Sequence, residues 1–284
     1  MIPANFEYHR AASIAEAVQL LQQYGDDAKI LAGGHSLLPA MKLRLNDPAH
    51  IIDISRLADL KYIKEDEGSI VIGAGTTHHE IAVSEMIQNK IPMLSQAANL
   101  IGDVQVRNRG TLAGSLAHAD PAADWPAAML AAESEIVVQG PGGSRSIAAS
   151  DFFKGLFMTA LQETEIITEI KVPIPSSDTK STYVKFMQPA SRFAIVGCAA
   201  MVTKSNGVCD DVKVAFTGVS TSAFRDVGVE NALKGNTPDE GNVTVAADKA
   251  ADGAEVMSDH FASEPYRRHL AKVYAKRALT ALID

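Results

Sequence analysis

The first segment with chemical potential is a run of small residues, Ala32-Gly33-Gly34-His35-Ser36, between an expected strand and an expected helix. Paired glycines let the backbone turn sharply and leave its N–H groups uncovered. The start of a helix adds partial positive charge, so the segment suits a phosphate or pyrophosphate. A simpler interpretation is a tight turn, with Ser36 as the helix cap and His35 as a turn residue. No Gly-Lys-Ser/Thr follows, which excludes a Walker A loop.

A second segment of the same kind is Thr111-Leu112-Ala113-Gly114-Ser115. It again offers hydroxyl groups, small side chains and close approach to the backbone. Asp120 and Asp124 follow it. Either carboxylate could accept a hydrogen bond from a ribose hydroxyl, or could simply cap the next helix, which would start at Pro121 or Pro126.

The sequence lacks the motifs of several other kinds of binding site or active site. Gly73-Ala-Gly75-Thr-Thr-His78 begins like a dinucleotide fingerprint but lacks its last glycine. There is no Gly-x-Ser-x-Gly elbow, and His79-Glu80 lacks the second histidine of a zinc protease helix. His78 and His79 would diverge on a helix, so we predict no metal site. Lys185 lies in an expected strand, where lysines are usually solvated.

Composition further narrows the classes of protein to which this chain could belong. The chain has 284 residues, of which 46% are hydrophobic, and a net charge of −8. This length suits two domains, and the negative charge argues against a nucleic-acid-binding surface. No apolar run is long enough to span a membrane and no signal peptide pattern is visible, so we expect a cytoplasmic protein. Cys198 and Cys209 are too few for a common iron–sulfur cluster, and we expect no disulfide.

An α/β unit is expected to position the first segment. Ser13 and Glu16 form a capping box at the start of an amphipathic helix. A strand over 29–32, a helical stretch over 37–45 and a strand over 51–54 follow. The glycine-rich turn therefore lies between the first strand and the second helix of this unit.

The second segment lies within 102–126, which is rich in small and polar residues without clear periodicity. We therefore predict a long irregular segment there, of the kind that is usually functional. Strands are predicted before and after it, over 69–73, 135–139 and 165–172.

A proline-rich stretch over 173–178 is the best domain boundary. Beyond it, we predict an antiparallel sheet with strands over 182–187, 194–203 and 211–219. A terminal helix is expected from Pro265 to about residue 282.

Taken together, these motifs resemble the FAD-binding medium subunit of molybdenum hydroxylases, the family of aerobic carbon monoxide dehydrogenase and xanthine dehydrogenase. The resemblance rests on Ala32-Gly-Gly-His-Ser-Leu-Leu-Pro39, Thr111-Leu-Ala-Gly-Ser115 and Ala117-His-Ala-Asp-Pro-Ala-Ala-Asp124. It covers essentially the whole chain, from Met1-Ile2-Pro3 to the carboxy-terminal helices.

The resemblance implies an α+β fold with a PCMH-type FAD-binding domain over residues 1–175. That domain would contain two α/β subdomains, over about 1–59 and 60–175. Residues 176–284 would form a carboxy-terminal antiparallel sheet-and-helix domain that closes over the flavin.

The resemblance also implies cofactor-binding residues. The two small-residue segments would wrap the pyrophosphate, and Asp124 matches an acid near the cofactor. Lys185 matches a lysine near the flavin ring, and Phe193 stands where the carbon monoxide enzyme has a tyrosine over the ring. The full expected set is Ala32, Gly33, Gly34, His35, Ser36, Leu37, Ile101, Thr111, Leu112, Ala113, Gly114, Ser115, Asp124, Ile167, Lys185 and Phe193.

The chain departs from the family pattern at three of these positions. The second motif commonly reads Thr-Ile-Gly-Gly-Asn, whereas this chain has Ala113 and Ser115 in place of the first glycine and the asparagine. Phe193 lacks the hydroxyl group of the tyrosine. We expect FAD binding to survive with a changed hydrogen-bond pattern.

The implied function is electron transfer. A large subunit would carry the molybdenum cofactor, and a small subunit would relay electrons through two [2Fe–2S] clusters. FAD on this chain would pass the electrons to an acceptor such as NAD or a quinone, so no catalytic side chain is expected here. The expected assembly is a dimer of heterotrimers, in the cytoplasm or peripheral on the inner face of the membrane. Similarity in this subunit favours carbon monoxide as the substrate, and N-heterocycles and aldehydes are the alternatives.

The main alternative is a stand-alone FAD-dependent oxidoreductase. Such enzymes usually carry a long substrate domain and often a histidine for covalent flavin attachment, and this chain has little room for such a domain. A structural subunit that has lost its flavin is the second alternative. Co-purification with neighbouring subunits and an absorption spectrum would distinguish these three functions.

Overall fold

The computed structural model describes residues 2–283, and Met1 and Asp284 lie outside these residues. Three main β-sheets follow one another along the described chain, with helices packed between them. The architecture confirms the predicted α+β class. None of the helices within 2–283 is long and apolar enough to cross a membrane.

The first sheet has three parallel strands in the order β1–β3–β2. Its elements are β1 (Glu7–Arg10), α1 (Ile14–Tyr24), β2 (Ala28–Leu31), α2 (Leu37–Lys42) and β3 (His50–Asp53). Helix α1 begins where the Ser13 hydroxyl accepts from the backbone N–H of Glu16, as the capping pattern predicts. Its buried face packs against the sheet, so the turn after β2 is held at one end of a rigid unit.

The second region contains an antiparallel sheet in the order β4–β5–β10–β6–β7, with helices inserted between β5 and β6. Its elements are β4 (Ile63–Asp66), β5 (Ser69–Gly73), α3 (His78–Val83), α4 (Glu85–Lys90), α5 (Pro92–Leu100), α6 (Val104–Arg107), α7 (Leu112–His118), α8 (Asp124–Ala131), β6 (Glu135–Gly140), β7 (Gly143–Ala148), α9 (Ala149–Phe152), β8 (Phe153–Gly155), β9 (Met158–Thr159) and β10 (Ile166–Pro173).

The third region is an antiparallel sheet, β11–β12–β13–β14, followed by helices. Its elements are β11 (Thr179–Met187), β12 (Ala194–Ser205), β13 (Val208–Thr217), β14 (Phe224–Arg225), α10 (Val227–Leu233), α11 (Glu240–Ala247) and α12 (Glu264–Thr280). One face of the sheet packs on α5 and α8, and the other packs on α10 and α12, which α11 contacts in turn. Because both faces are covered, β12 is buried along most of its length.

The prediction of an irregular segment over 102–126 is wrong. It contains α6, α7 and the start of α8, and its two short helices are each capped by a side chain, Asp103 and Thr111. Helix α8 is buried on all sides, from Asp124 to Ala131, so it shows no amphipathic period. Strand β7 and helices α10 and α11 were also missed.

One buried arginine joins the elements of the carboxy-terminal region. Arg267 of α12 donates through Nη1 to the carbonyl oxygens of Ile195 and Gly218, and through Nη2 to Asp259 at 2.6 Å. The adjacent backbone then docks on the chain just before α8: the N–H of Gly218 donates to Pro121 O at 2.7 Å. Arg267 therefore holds the strand ends that meet the second region.

We expect Arg267→Met to lower the free energy of unfolding by about 2–4 kcal/mol, because it leaves two buried carbonyl groups without a donor. Urea denaturation of the full chain measures this loss. Arg277→Met is the matched control, because Arg277 is an exposed residue on the same helix. Similar losses in the two variants would contradict the role given to Arg267.

Candidate functional site

A cavity of about 350 Å³ opens where the three regions meet. Its walls come from the turn after β2, from α7 and the residues before it, and from the hairpin between β11 and β12. Its volume lies in the range of small-molecule sites, about 300–1,000 Å³. Each wall belongs to a different sheet unit, so the cavity exists only when the three units are docked.

The turn after β2 presents free backbone donors to this cavity. Gly33, Gly34, His35 and Ser36 all line it. Within residues 2–283, the backbone N–H groups of these four residues donate to no other atom. Gly34 has φ of +76°, a conformation that favours glycine. Consecutive free N–H groups in such a turn form a concave site for an anion.

Gly33 has a second role, which the sequence did not predict. A Cβ atom at Gly33 would lie 2.2 Å from the carbonyl oxygen of Arg109 and 2.7 Å from Cα of Gly110. Any side chain there would collide with the backbone of the second region. Glycine at this position is therefore required for docking of the first region against the second, whether or not a ligand is bound.

The second predicted segment divides into lining and anchoring residues. Thr111, Gly114 and Ser115 line the cavity, and the Thr111 hydroxyl caps α7 by accepting from the N–H of Gly114 at 3.1 Å. Leu112 and Ala113 are buried in the hydrophobic core instead. The methyl group of Ala113, the departure from the family glycine, therefore packs away from the cavity.

His78 also lines the cavity. Its Nδ1 accepts a hydrogen bond at 3.0 Å from Nε1 of Trp125, which is only a donor, so the proton of the neutral ring lies on Nε2. Nε2 has no partner in the part of the chain that the structure describes. Burial lowers the pKa of His78 to about 3, with smaller contributions from His35 and Arg107. His78 thus offers the cavity a neutral N–H donor at ordinary pH.

A buried ion pair lies directly behind the cavity. Lys185 of β11 donates to the carboxylate of Asp124 at 2.9 Å, and the Tyr183 hydroxyl donates to the same carboxylate at 2.6 Å. Burial raises the pKa of Asp124 and lowers the pKa of Lys185, and the attraction between the two charges opposes both shifts. Asp124 is thus held by two side chains of the carboxy-terminal sheet.

The lysine also shapes the cavity wall. Its ammonium group donates to the carbonyl oxygens of Leu100 at 2.9 Å and Arg192 at 2.7 Å. These residues adjoin Ile101 and Phe193, which line the cavity. Lys185 itself does not line it, so its contribution runs through the two carbonyls and Asp124.

Twelve of the predicted residues line the cavity: Ala32, Gly33, Gly34, His35, Ser36, Leu37, Ile101, Thr111, Gly114, Ser115, Asp124 and Phe193. The remaining four are buried beside it or in the core: Leu112, Ala113, Ile167 and Lys185. Their roles toward FAD remain predictions.

Some lining residues were not assigned from the sequence, among them Lys29, Asn46, Val106 and Arg192. The Nε of Arg192 is buried and has no hydrogen-bond partner within 2–283. His78 was considered only as a metal ligand. Its donor role depends on Trp125, 47 positions away, and no local pattern indicates that contact.

Known proteins share this architecture. Residues 4–175 match the family model described as the FAD binding domain in molybdopterin dehydrogenase. The chain belongs to this family. Residues 181–282 match the model for the CO dehydrogenase flavoprotein C-terminal domain. These matches confirm the predicted family, the oxidoreductase class and FAD as the cofactor.

The similarity to individual family members covers nearly the whole chain. The carbon monoxide dehydrogenase medium chain of Hydrogenophaga pseudoflava is 42% identical over 99% of this chain and 98% of its own. The glyceraldehyde dehydrogenase medium chain of Sulfolobus acidocaldarius is 37% identical over 98% of both chains. The structure of the Hydrogenophaga pseudoflava carbon monoxide dehydrogenase that lacks the Mo-pyranopterin moiety superimposes with a TM-score of 0.96, at 43% identity, over 99% of this chain and 98% of that one.

We expect Lys185→Met and Asp124→Asn each to destabilise the full chain, the lysine variant by about 3–5 kcal/mol, because it leaves a buried carboxylate unpaired. The double variant should cost less than the sum by about 2 kcal/mol or more, since neither charge then remains without its partner. Urea denaturation of all four proteins gives the coupling. The exposed pair Lys64 and Asp66 serves as a control and should show no measurable coupling. Additive costs at Lys185 and Asp124 would contradict this account.

Proposed function

We propose that this chain is the FAD-carrying electron-transfer subunit of a heterotrimeric molybdenum hydroxylase. It would receive electrons from [2Fe–2S] clusters on a small subunit, while a large subunit carries the molybdenum cofactor and oxidises the substrate. The main support is a cavity at the junction of three regions, lined by unpartnered backbone donors, in a chain of this family.

The residues present fit FAD. The free N–H groups of Gly33, Gly34, His35 and Ser36 would hold the pyrophosphate, with the Thr111–Ser115 segment on the other side. Arg192 adds a cationic side chain to the same cavity, which suits an anionic ligand. Bound FAD supplies the one- and two-electron redox chemistry. The protein's part is to bind the cofactor, orient it and limit its contact with water.

Phe193 and Lys185 would act at the ring end. Phe193 lies at the cavity edge with 44% of its surface exposed, so its ring is available for stacking on a flavin. Lys185 would act indirectly, because its ammonium group is already bonded to Asp124 and two carbonyls. Its positive charge nevertheless lies directly behind residues that line the cavity.

The substrate and acceptor belong to the wider complex. We propose a carbon monoxide dehydrogenase-like enzyme, with NAD or a quinone as acceptor and a dimer of heterotrimers as the assembly. A medium chain named for glyceraldehyde dehydrogenase is almost as similar as one named for carbon monoxide dehydrogenase. Similarity in this subunit therefore carries less information about substrate than the active-site loop of the large subunit would.

A stand-alone oxidoreductase receives less support. The chain covers 98% of each of the two medium chains described above. Residues 4–175 match a model for an FAD binding domain and residues 181–282 match a model for a flavoprotein C-terminal domain, and neither model describes a substrate domain.

We expect Ala117→Trp to remove most of the FAD from the co-expressed complex, because the indole would occupy space that the cofactor needs. Ala117 is exposed and lines the cavity, so the indole would fill space there without entering the core. Val83→Trp, also at an exposed position but outside the cavity, is the control. Gly33 is unsuitable for this purpose, because its replacement would separate the first two regions.

The same complexes test electron transfer. Adding the reducing substrate should bleach the flavin absorption of the native and Val83→Trp complexes. The Ala117→Trp complex should keep its subunits and reducible iron–sulfur clusters but show little flavin bleaching. Full FAD content in a correctly assembled Ala117→Trp complex would refute the cofactor site. Flavin that the substrate cannot reduce through the clusters would refute the electron-transfer role.

We expect His78→Phe to weaken FAD binding by about 10-fold to 100-fold, the range for losing a hydrogen bond to a charged group. Trp125→Phe keeps the imidazole but removes the bond that fixes its tautomer, so it should also weaken FAD binding, by less than His78→Phe does. Both variants should lower stability, so stability alone cannot explain a selective loss. Fluorescence titration of deflavinated complexes with FAD measures the affinity, and native affinity in His78→Phe would eliminate the donor role.

A further inference from the structure

A cluster of titratable side chains lies on the first sheet, outside the cavity. Glu7 and His9 are two positions apart on β1, so their side chains project from the same face. Strand β3 pairs in parallel with β1, and His50 lies opposite Glu7 in the register. The pairing therefore brings two imidazoles and one carboxylate together. None of the three lines the proposed FAD site.

The distances between the three nearest donor atoms are those of a metal site. His9 Nε2 lies 3.1 Å from His50 Nδ1. One carboxylate oxygen of Glu7 lies 3.6 Å from His50 Nδ1 and 3.9 Å from His9 Nε2. A single point in the plane of these atoms is about 2.1 Å from all three, which matches zinc bonds to imidazole nitrogen and carboxylate oxygen.

Tyr24 holds the two imidazoles in place. Its ring stacks on His50 with centroids 3.7 Å apart and an angle of 16° between the planes, and it lies 5.0 Å from the ring of His9. The histidine side chains are only 21% and 18% exposed, whereas Glu7 is 73% exposed. Two ligands are thus pre-positioned by packing, and the third can adjust from the solvent side.

We propose that Glu7, His9 and His50 form a binding site for a divalent ion of the zinc class. Two imidazoles and one carboxylate suit borderline ions such as Zn²⁺ and Co²⁺, whereas Mg²⁺ and Ca²⁺ prefer oxygen ligands throughout. With three protein ligands, at least one coordination position is open to water. The bound ion cross-links β1 to β3 at the edge of the sheet whose other outer strand, β2, leads into the Ala32–Ser36 turn.

The test uses the full chain after treatment with a chelator. We expect one equivalent of Co²⁺ to bind with visible absorption bands of a low-coordinate site, and Zn²⁺ to displace it. His9→Ala and His50→Ala should each weaken binding by about 100-fold or more, and Glu7→Gln by about tenfold, since ligand loss costs at least as much as loss of an outer-shell partner. Added Zn²⁺ should raise the melting temperature of the native chain and not that of His9→Ala/His50→Ala.

A matched control separates this site from general binding by histidines. His79→Ala/His260→Ala also removes two imidazoles, both exposed and outside the cluster, and should bind Co²⁺ as the native chain does. Equal affinity in His9→Ala/His50→Ala and the native chain would overturn the proposal. So would the absence of stoichiometric binding by the folded native chain at micromolar Co²⁺. In that case the two rings form only a hydrogen-bonded pair.

Discussion

The buried carboxylate of Asp124 connects most of what makes the site. It begins α8, the helix enclosed between the second and third regions, and it accepts hydrogen bonds from two residues of β11. A carboxylate without partners at this depth would be strongly unfavourable, so the native arrangement is stable only when β11 is docked. One of these two residues, Lys185, also donates to the carbonyl oxygens of Leu100 and Arg192, which lie beside or in the cavity wall. Docking of the carboxy-terminal sheet and shaping of the cavity are thus one event.

The groups that support the cavity wall have their hydrogen bonds satisfied within the protein, whereas several groups that face the cavity do not. The network around Asp124 and the cap of α7 are satisfied internally, and these groups have little left to offer a ligand. The turn at residues 33–36 and Nε2 of His78 keep donors without partners. Structural and ligand-binding roles can therefore fall on neighbouring residues of one motif. Thr111 caps α7 and Ala113 packs in the core, whereas Ser115 lines the cavity.

Local patterns in the sequence predicted the elements whose causes are local. The Ser13 cap and the apolar face behind it gave α1, and alternation or continuous apolar runs gave β5 and most of β11 to β13. Helix α8 was offered only as an alternative, with a start at Pro121 or Pro126, because burial on all sides removes the period that identifies a helix. The role of Lys185 also needed the fold, since its three acceptors come from Leu100, Asp124 and Arg192. Twelve of the residues implied by the motif resemblance line the cavity, while the supports behind it depend on contacts between distant positions.

Gly33 has a consequence for interpreting divergent members of such a family. Its hydrogen is the only substituent that the neighbouring backbone of Arg109 and Gly110 can accommodate. Selection for a folded protein would therefore preserve this glycine even in a lineage whose cofactor had been lost. A glycine at the position of Gly33 is consequently evidence that two structural units are joined, and only secondarily evidence that a ligand is still bound. Loss of function in a degenerate descendant should be sought at a side chain that presents a free donor to the cavity, such as His78, rather than at Gly33.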